Sequence, residues 1–244
     1  MKKTVKWLAL VLCTAVLLGC FGICAAAEEE GGITLIVDEE VLQDAVKILE
    51  ELKKQQEAAL FTDVPLGSWY YDSVNYVAMM GLMNGTGDRK FSPDAFLTRA
   101  MLVTVLYRMA GSPEISSANV FTDVPEGMWY TSAVIWGYEN GIVKGTSATT
   151  FAPDNNITRQ DMTVMLCRFA DAMGIALPVS AQEQAQFPDD AQIASYAKDS
   201  VYRMRSAGII SGRSVNGSVV FAPLGTASRA EIAKVIASLH AMMQ

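Results

Sequence analysis

An arginine stands at the same place in three parts of this chain, eight residues after the phenylalanine of a Phe-Ser-Pro or Phe-Ala-Pro triplet. A guanidinium can hold a carboxylate through two parallel hydrogen bonds, so these positions are suited to binding acidic groups. Each arginine follows a Thr or Ser that suits a helix N-cap, where free amides also favour anions. The alternative is structural, namely an ion pair with an aspartate of a neighbouring segment. The three residues are Arg99, Arg159 and Arg229.

Other reactive chemistry is sparse in this sequence. The one histidine, His240, is expected to be solvated on the last helix, and Cys167 is expected to be a buried structural thiol. One histidine and one cysteine outside the leader cannot supply a zinc site, and Asp63 and Asp72 stand in no recognisable catalytic constellation. We therefore predict no enzymatic activity, no metal and no cofactor. No basic stripe is present to neutralise phosphates, which argues against a nucleic acid partner.

Three copies of one pattern occupy most of the chain. Residues 61–65 and 121–125 both read Phe-Thr-Asp-Val-Pro, and residues 187–190 read Phe-Pro-Asp-Asp. A glycine-containing loop, the Phe-x-Pro triplet and the arginine follow in the same order each time. A period of about 60 residues indicates small units that need their neighbours to bury their apolar faces. We define copy one as residues 61–118, copy two as 119–180 and copy three as 181–244.

Each copy predicts a helix, a loop and a second helix, so the expected fold class is all-α. In copy one the first helix should run from Asp72 to about Met80, and the second from Arg99 to Ala110. The second helices are apolar on broad faces, which predicts that they pack on one another about a pseudo-threefold axis. In copies two and three they are expected at residues 159–173 and 229–243, with a small hairpin around Asn216 and Gly217 in the longer third loop.

The first 27 residues predict a signal peptide. Three lysines precede an apolar run at residues 7–18, and alanines 25–27 supply small residues before the expected cleavage point. The run is shorter than the roughly 20 residues that a membrane-spanning helix needs. Residues 17–20 read Leu-Leu-Gly-Cys, which resembles a lipobox, so a lipid anchor at Cys20 is the alternative.

Residues 28–60 are acidic, with ten acidic and three basic side chains. A strand-like run at residues 33–37 precedes a predicted amphipathic helix from Asp38 to about Ala59. We favour a strut or spacer, and a dimerising helix or a surface for a protein partner stays open. The predicted apolar stripe consists of Leu42, Ala45, Leu49 and Leu52.

The ordered set of motifs resembles the S-layer homology repeat of bacterial cell-surface proteins. The resemblance covers residues 61–244 and rests on Phe-x-Asp-Val, a following tryptophan, Gly-x-x-x-Gly, Phe-x-Pro and Thr-Arg-Ala. It implies a secreted protein at the cell wall that binds secondary cell wall polymer, a polysaccharide associated with peptidoglycan, often through a pyruvylated amino sugar. The alternative is a structural or oligomerising envelope protein whose acidic helix recruits a partner.

The resemblance also implies that the polymer binds in grooves between the repeats. The arginines would hold a pyruvate carboxylate, tryptophans would pack on the sugar, and loop glycines would let amides approach it. Copy three lacks the tryptophan and has Tyr196 nearby, while only Glu231 keeps the acidic residue of the family motif. We therefore expect copies one and two to hold the working sites and copy three to complete the bundle. The implied carbohydrate-binding residues are Arg99, Arg159, Arg229, Trp69, Trp129, Gly85, Gly145, Gly212, Thr98 and Thr158.

Overall fold

The structure is a computed structural model that describes residues 24–27, 33–36, 43–44, 46–48, 50–51, 59–178 and 186–243. The chain divides into two compact units, Met1–Ala59 and Leu60–Gln244. Within the described residues, no helix is long and apolar enough to cross a membrane.

The first unit contains a two-stranded antiparallel sheet. Strand β1, Cys24–Ala27, pairs with strand β2, Ile33–Ile36, which falls on the predicted strand-like run. Residues 43–44, 46–48 and 50–51 are helical and exposed. Cys20 and the predicted apolar stripe (Leu42, Ala45, Leu49, Leu52) lie outside the described residues.

The second unit is built from helices and a small hairpin, which confirms the all-α prediction. Copy one forms α1, Tyr71–Met79, and α2, Arg99–Met109; copy two forms α3, Thr131–Glu139, and α4, Arg159–Ala172. Copy three forms a short 3-10 turn, Asp190–Gln192, then α5, Ser195–Ser206, and α6, Arg229–Ala241. Strands β3, Arg213–Val215, and β4, Ser218–Val220, form the predicted hairpin in the third loop.

Local sequence chemistry explains where these helices begin. Thr98 Oγ1 accepts the amide of Met101 at 3.3 Å, so it caps α2 as predicted. Thr158 caps α4 in the same way, and Ser228 and Glu231 form the complete capping box of α6.

The helices pack between copies. The closing helix of each copy lies on the opening helix of the next, so α2 packs on α3 and α4 packs on α5. The last closing helix, α6, packs on α1 and thereby closes the three copies into a ring. Helices α2 and α4 also pack on each other, which is one of the contacts between closing helices that the apolar faces predicted; the more extensive contacts join closing to opening helices. A copy is therefore a unit of sequence, whereas the packing unit spans two copies.

Backbone segments just before the closing helices meet at the centre of the ring. The amide of Ile157 donates to the carbonyl of Leu97 at 2.9 Å, and the amide of Leu97 donates to the carbonyl of Ala227 at 3.3 Å. All three side chains are buried. One segment from each copy thus contributes to a single centre, which fits the expected pseudo-threefold arrangement.

Candidate functional site

The repeated aspartate holds the Phe-x-Pro turn of its own copy. The two carboxylate oxygens of Asp63 accept the amides of Phe91 and Ser92, each at 2.8 Å. Ser92 has a φ of 56°, a left-handed conformation that costs energy for a residue with a side chain. The two bonds to the carboxylate stabilise that turn. Asp123 holds Phe151 and Ala152, and Asp189 holds Phe221 and Ala222, in the same way.

The repeated arginine crosses to the next copy. Arg99 Nε donates to the carbonyl of Phe151 at 2.9 Å, Nη2 donates to the carbonyl of Lys144 at 3.1 Å, and the guanidinium lies over the Phe151 ring. Arg99 therefore has a structural role, but its partners are backbone carbonyls and not the aspartate that the structural alternative proposed. Arg159 bonds to Phe221 and Ser211, and Arg229 bonds to Phe91 and Asn84, in the same geometry.

The amides at the start of each closing helix are occupied, which corrects the expectation that they are free for an anion. The amide of Arg99 donates to Asn155 at 2.9 Å, and that of Ala100 donates to Pro153 at 3.0 Å. The Met101 amide is taken by the N-cap Thr98. The same carbonyl contacts cap α4 and α6. The N-cap threonines thus have a structural role, and their predicted carbohydrate contact stays a prediction.

Close packing accounts for the loop glycines. A Cβ on Gly145 would lie 2.5 Å from the Thr150 carbonyl and 2.8 Å from the Phe121 ring. Gly85 and Gly212 face the corresponding phenylalanines, Phe61 and Phe187, in their own copies. The glycines are therefore required by the loop itself, and amide contacts to a ligand stay a prediction.

Because each arginine reaches the next copy, the candidate sites lie at three seams, which we name the Arg99, Arg159 and Arg229 seams. The Arg99 seam contains a cavity of about 420 Å³. The cavity is lined by Arg99 of copy one, by a loop and α4 of copy two, and by Tyr196 of copy three. The lining residues are Arg99, Lys144, Gly145, Thr146, Asp161, Val164, Met165, Arg168 and Tyr196.

The cations of the Arg99 seam are largely unpaired. Among the described residues, the side chains of Lys144 and Arg168 have no hydrogen-bond or ion-pair partner. Arg99 uses Nε and Nη2, whereas Nη1 has no such partner and is not buried. Burial lowers the pKa of the Arg99 guanidinium, and the nearby Asp161 carboxylate opposes that shift. The cavity therefore presents three positive groups.

The acidic side chain of this cavity is bound by hydroxyl groups. Asp161 accepts a hydrogen bond from Tyr196 at 2.7 Å and another from Thr158 at 2.8 Å. Burial, and then the bond to Asp161, raises the pKa of Tyr196 to about 12, so its hydroxyl stays protonated at neutral pH. The Tyr196 side chain is otherwise exposed beside the cavity.

The Arg159 seam is occupied differently. Both carboxylate oxygens of Glu231 accept hydrogen bonds from Arg213 Nη2 at 2.8 Å. The same carboxylate lies 3.7 Å from Arg159 Nη1. Burial, and then the neighbouring Arg213, lowers the pKa of Arg159 to about 10. A carboxylate of the chain itself therefore already lies between the two guanidinium groups.

Both predicted tryptophans are exposed. The side chains of Trp69 and Trp129 are 59% and 58% accessible, and each packs edge-on against the following tyrosine. Lys234 of α6 lies 5.7 Å from the centre of the Trp69 ring, so Trp69 of copy one sits beside the closing helix of copy three. The predicted contact of the two indoles with a sugar stays a prediction.

The arginine of copy one meets the glycine loop of copy two, so the seams correspond to the predicted grooves between copies, and polymer binding in them stays a prediction. Lys144 and Asp161 were missed as site residues because the other copies carry different residues at these positions. Arg168 has a counterpart in Arg108 of copy one, but it belongs to none of the repeated motifs. Tyr196 was noted only as a departure in copy three. No sequence signal pairs it with Arg99.

His240 lies on the last helix, as expected, but it is half-buried and not solvated. Its Nδ1 lies 2.8 Å from the hydroxyl of Tyr76, and this contact joins α6 to α1 where the ring closes. Cys167 is buried and free, as predicted.

The unit Leu60–Gln244 is a ring of three interlocked helical repeats, and one of its seams holds a cationic cavity, an arrangement suited to binding. The S-layer homology domain family matches residues 60–100, 120–163 and 186–233, and the chain belongs to this family. The chain is accordingly a secreted cell-surface protein whose repeats form a cell-surface anchoring domain.

Three relatives illustrate the match. Exoglucanase XynX of Acetivibrio thermocellus is 30% identical over 75% of this chain and 16% of its own length. Amylopullulanase of Thermoanaerobacterium thermosulfurigenes is 30% identical over 73% of this chain and 9% of its own length. S-layer protein sap of Bacillus anthracis is 28% identical over 72% of this chain and 21% of its own length. The chain thus spans less than a quarter of these relatives, and the two enzymes match it only through their S-layer homology regions.

Proposed function

We propose that this chain anchors to the bacterial cell wall by binding an acidic secondary cell wall polymer in its seams, with the Arg99 seam as a principal site. The supporting observation is the cavity in which Arg99, Lys144 and Arg168 present positive groups without carboxylate partners. A cavity of about 420 Å³ is within the range of small-ligand sites and suits one or two sugar residues.

The chemistry of the cavity favours a sugar that carries a carboxylate. Charge-assisted hydrogen bonds from guanidinium groups are stronger than neutral ones, so an acidic substituent gives both affinity and orientation. Tyr196 adds an exposed aromatic side chain from copy three. A pyruvylated amino sugar supplies both the carboxylate and the apolar C–H face that such a site would hold.

Co-sedimentation with purified cell walls tests this proposal. Residues 28–244 are expected to pellet with walls whose polymer is pyruvylated and to remain in solution with walls that lack the pyruvyl group. Equal binding to both preparations would show that carboxylate recognition is not the basis of attachment. A chain that pelleted with neither would contradict anchoring through this polymer.

A structural role in a surface layer is the second candidate, because relatives include proteins named S-layer protein. Light scattering without polymer separates the two functions. A discrete species that needs polymer to pellet supports the anchor, whereas lattices formed by pure protein support self-assembly.

The segment before the repeats carries further proposals. We propose that residues 1–27 direct secretion, that Cys20 is the alternative attachment point for a lipid, and that residues 28–60 act as a spacer or meet a protein partner. Intact-mass measurement of the secreted protein separates the first two, because a diacylglyceryl cysteine at residue 20 and a free residue 28 differ in mass.

A further inference from the structure

The Arg159 seam contains a complete internal ion pair. Arg213 Nη2 donates to both oxygens of Glu231 at 2.8 Å, and Glu231 also accepts the Ser228 amide at 3.0 Å. Arg159 Nη1 lies 3.7 Å from the same carboxylate. The carboxylate thus lies where an acidic ligand would have to approach Arg159.

The corresponding positions of the Arg99 seam are arranged differently. Asp161 replaces Glu231 and is one methylene shorter, and Thr146 replaces Arg213 after the loop glycine. Asp161 is bound to the hydroxyl groups of Tyr196 and Thr158 and forms no ion pair with Arg99. The cations of this seam therefore have no internal carboxylate partner within the described residues.

The hairpin of copy three explains how the pair arises. Arg213 is the first residue of β3, and its Nη2 also donates to the Thr226 carbonyl at 3.1 Å. The loop that contains the hairpin is longer than in the other copies. The added residues support the strand that brings Arg213 to Glu231.

We propose that Glu231 acts as an internal carboxylate that closes the Arg159 seam to acidic sugars, whereas the Arg99 seam stays open to them. This inference rests on the proposed function. A carboxylate attached to the same fold competes with a free ligand at a high effective concentration, so an external acid must displace it before it can bind.

Glu231→Gln tests the inference because it removes the charge while keeping a side chain that can complete the capping box. Isothermal titration calorimetry with a synthetic pyruvylated amino-sugar glycoside should show one more bound ligand per chain than the wild type. The pyruvate-free glycoside should show no such gain. The matched control is Glu114→Gln, the same charge change at an exposed residue of copy one, which should leave the number of sites unchanged.

Two further variants keep the test decisive. Glu231→Met introduces the residue that copy one carries at this position, Met101, and should also add a site. Arg213→Thr copies Thr146 of the Arg99 seam but leaves Glu231 beside Arg159, so it should add none.

An unchanged number of sites in both Glu231 variants, with normal binding by the wild type, would overturn the inference and leave the anchoring function intact. A new site in Arg213→Thr would also overturn it, because the hairpin side chain and not the carboxylate would then be the obstacle. A wild type that binds no pyruvylated glycoside would overturn the proposed function, and the inference with it.

Discussion

At the residue scale, the repeated aspartate and arginine act on one turn from two sides. Asp123 accepts the amide of Phe151 from within copy two, while Arg99 of copy one donates to the carbonyl of the same residue. Each motif residue therefore has a structural task that the sequence pattern alone suggested only for the arginine. The residues left over for a ligand are those with unsatisfied charge, chiefly Lys144 and Arg168.

Removing those two charges should weaken polymer binding without unfolding the protein. We expect Lys144→Ala and Arg168→Ala each to reduce affinity about tenfold, because a hydrogen bond to a charged group contributes about 1.5–3 kcal/mol. Calorimetry with the pyruvylated glycoside measures the change. Lys90→Ala is the control, since it removes an exposed cation that does not line the cavity. Wild-type affinity in both cavity variants would contradict the assigned site.

Replacing the aspartate that binds the Phe-x-Pro turn should lower the stability of the fold. Asp123→Ala leaves the amides of Phe151 and Ala152 without their partners, and we expect a loss of about 2–4 kcal/mol in the free energy of unfolding. Urea denaturation followed by circular dichroism measures it. Asp154→Ala, an exposed aspartate of the same copy, should change stability by less than about 0.5 kcal/mol. Similar losses in the two variants would argue against the structural role of Asp123.

At the scale of elements, the seams join helices of different copies. Besides apolar packing, α4 and α5 share an ion pair in which Arg203 donates to Asp171 at 3.0 and 2.5 Å. The hydrogen bonds from Arg203 lower the pKa of the Asp171 carboxyl. Since both side chains are substantially exposed, the pair contributes at most about 1 kcal/mol.

The sign of that pKa shift gives a prediction for acid pH. A carboxyl whose pKa is lower in the folded than in the unfolded state stabilises the fold at pH values above its unfolded pKa of about 3.9. This contribution disappears as the pH falls through the pKa of the folded state. We expect the wild type to be more stable than Asp171→Asn at pH 7 and equal to it near pH 2. Urea titrations across this range measure the difference. A stability gap that did not change with pH would show that the ionised pair is not its source.

At the scale of the molecule, the ring closes only when all three copies are present. Arg229 of copy three donates to the turn of copy one, and Tyr76 meets His240 where α1 packs on α6. Every copy therefore depends on a contact from another copy to complete its Phe-x-Pro turn.

This dependence predicts that two copies do not form a stable fold. We expect a chain that ends at residue 180 to lose cooperative unfolding, because α1 loses its partner helix and the turn of copy one loses Arg229. Thermal denaturation followed by circular dichroism is the measurement. Deletion of residues 1–59 is the control and should preserve the transition, since Leu60–Gln244 is a compact unit. A sharp transition in the two-copy chain would contradict the closed ring as the stable unit.

The sequence by itself determined the three copies, the helix N-caps, the hairpin turn and the family. The copies and the family follow from motifs that recur in one order along the chain. The caps and the turn depend on residues a few positions apart: Thr98 caps the amide of Met101, and Asn216 and Gly217 both adopt the positive φ of a tight turn. Local interactions of this kind can be predicted from a short stretch of sequence.

Only the tertiary structure decided which copies form each seam. Arg99 bonds to a carbonyl 45 residues away, and Arg229 bonds to one 145 residues away. Two pairings fit the same repeated pattern equally well: an arginine with the loop of its own copy, or with that of the next. The choice depends on how α2 packs against α3 and how α6 packs against α1, and it is this packing that brings Tyr196 beside Arg99 and Glu231 beside Arg159.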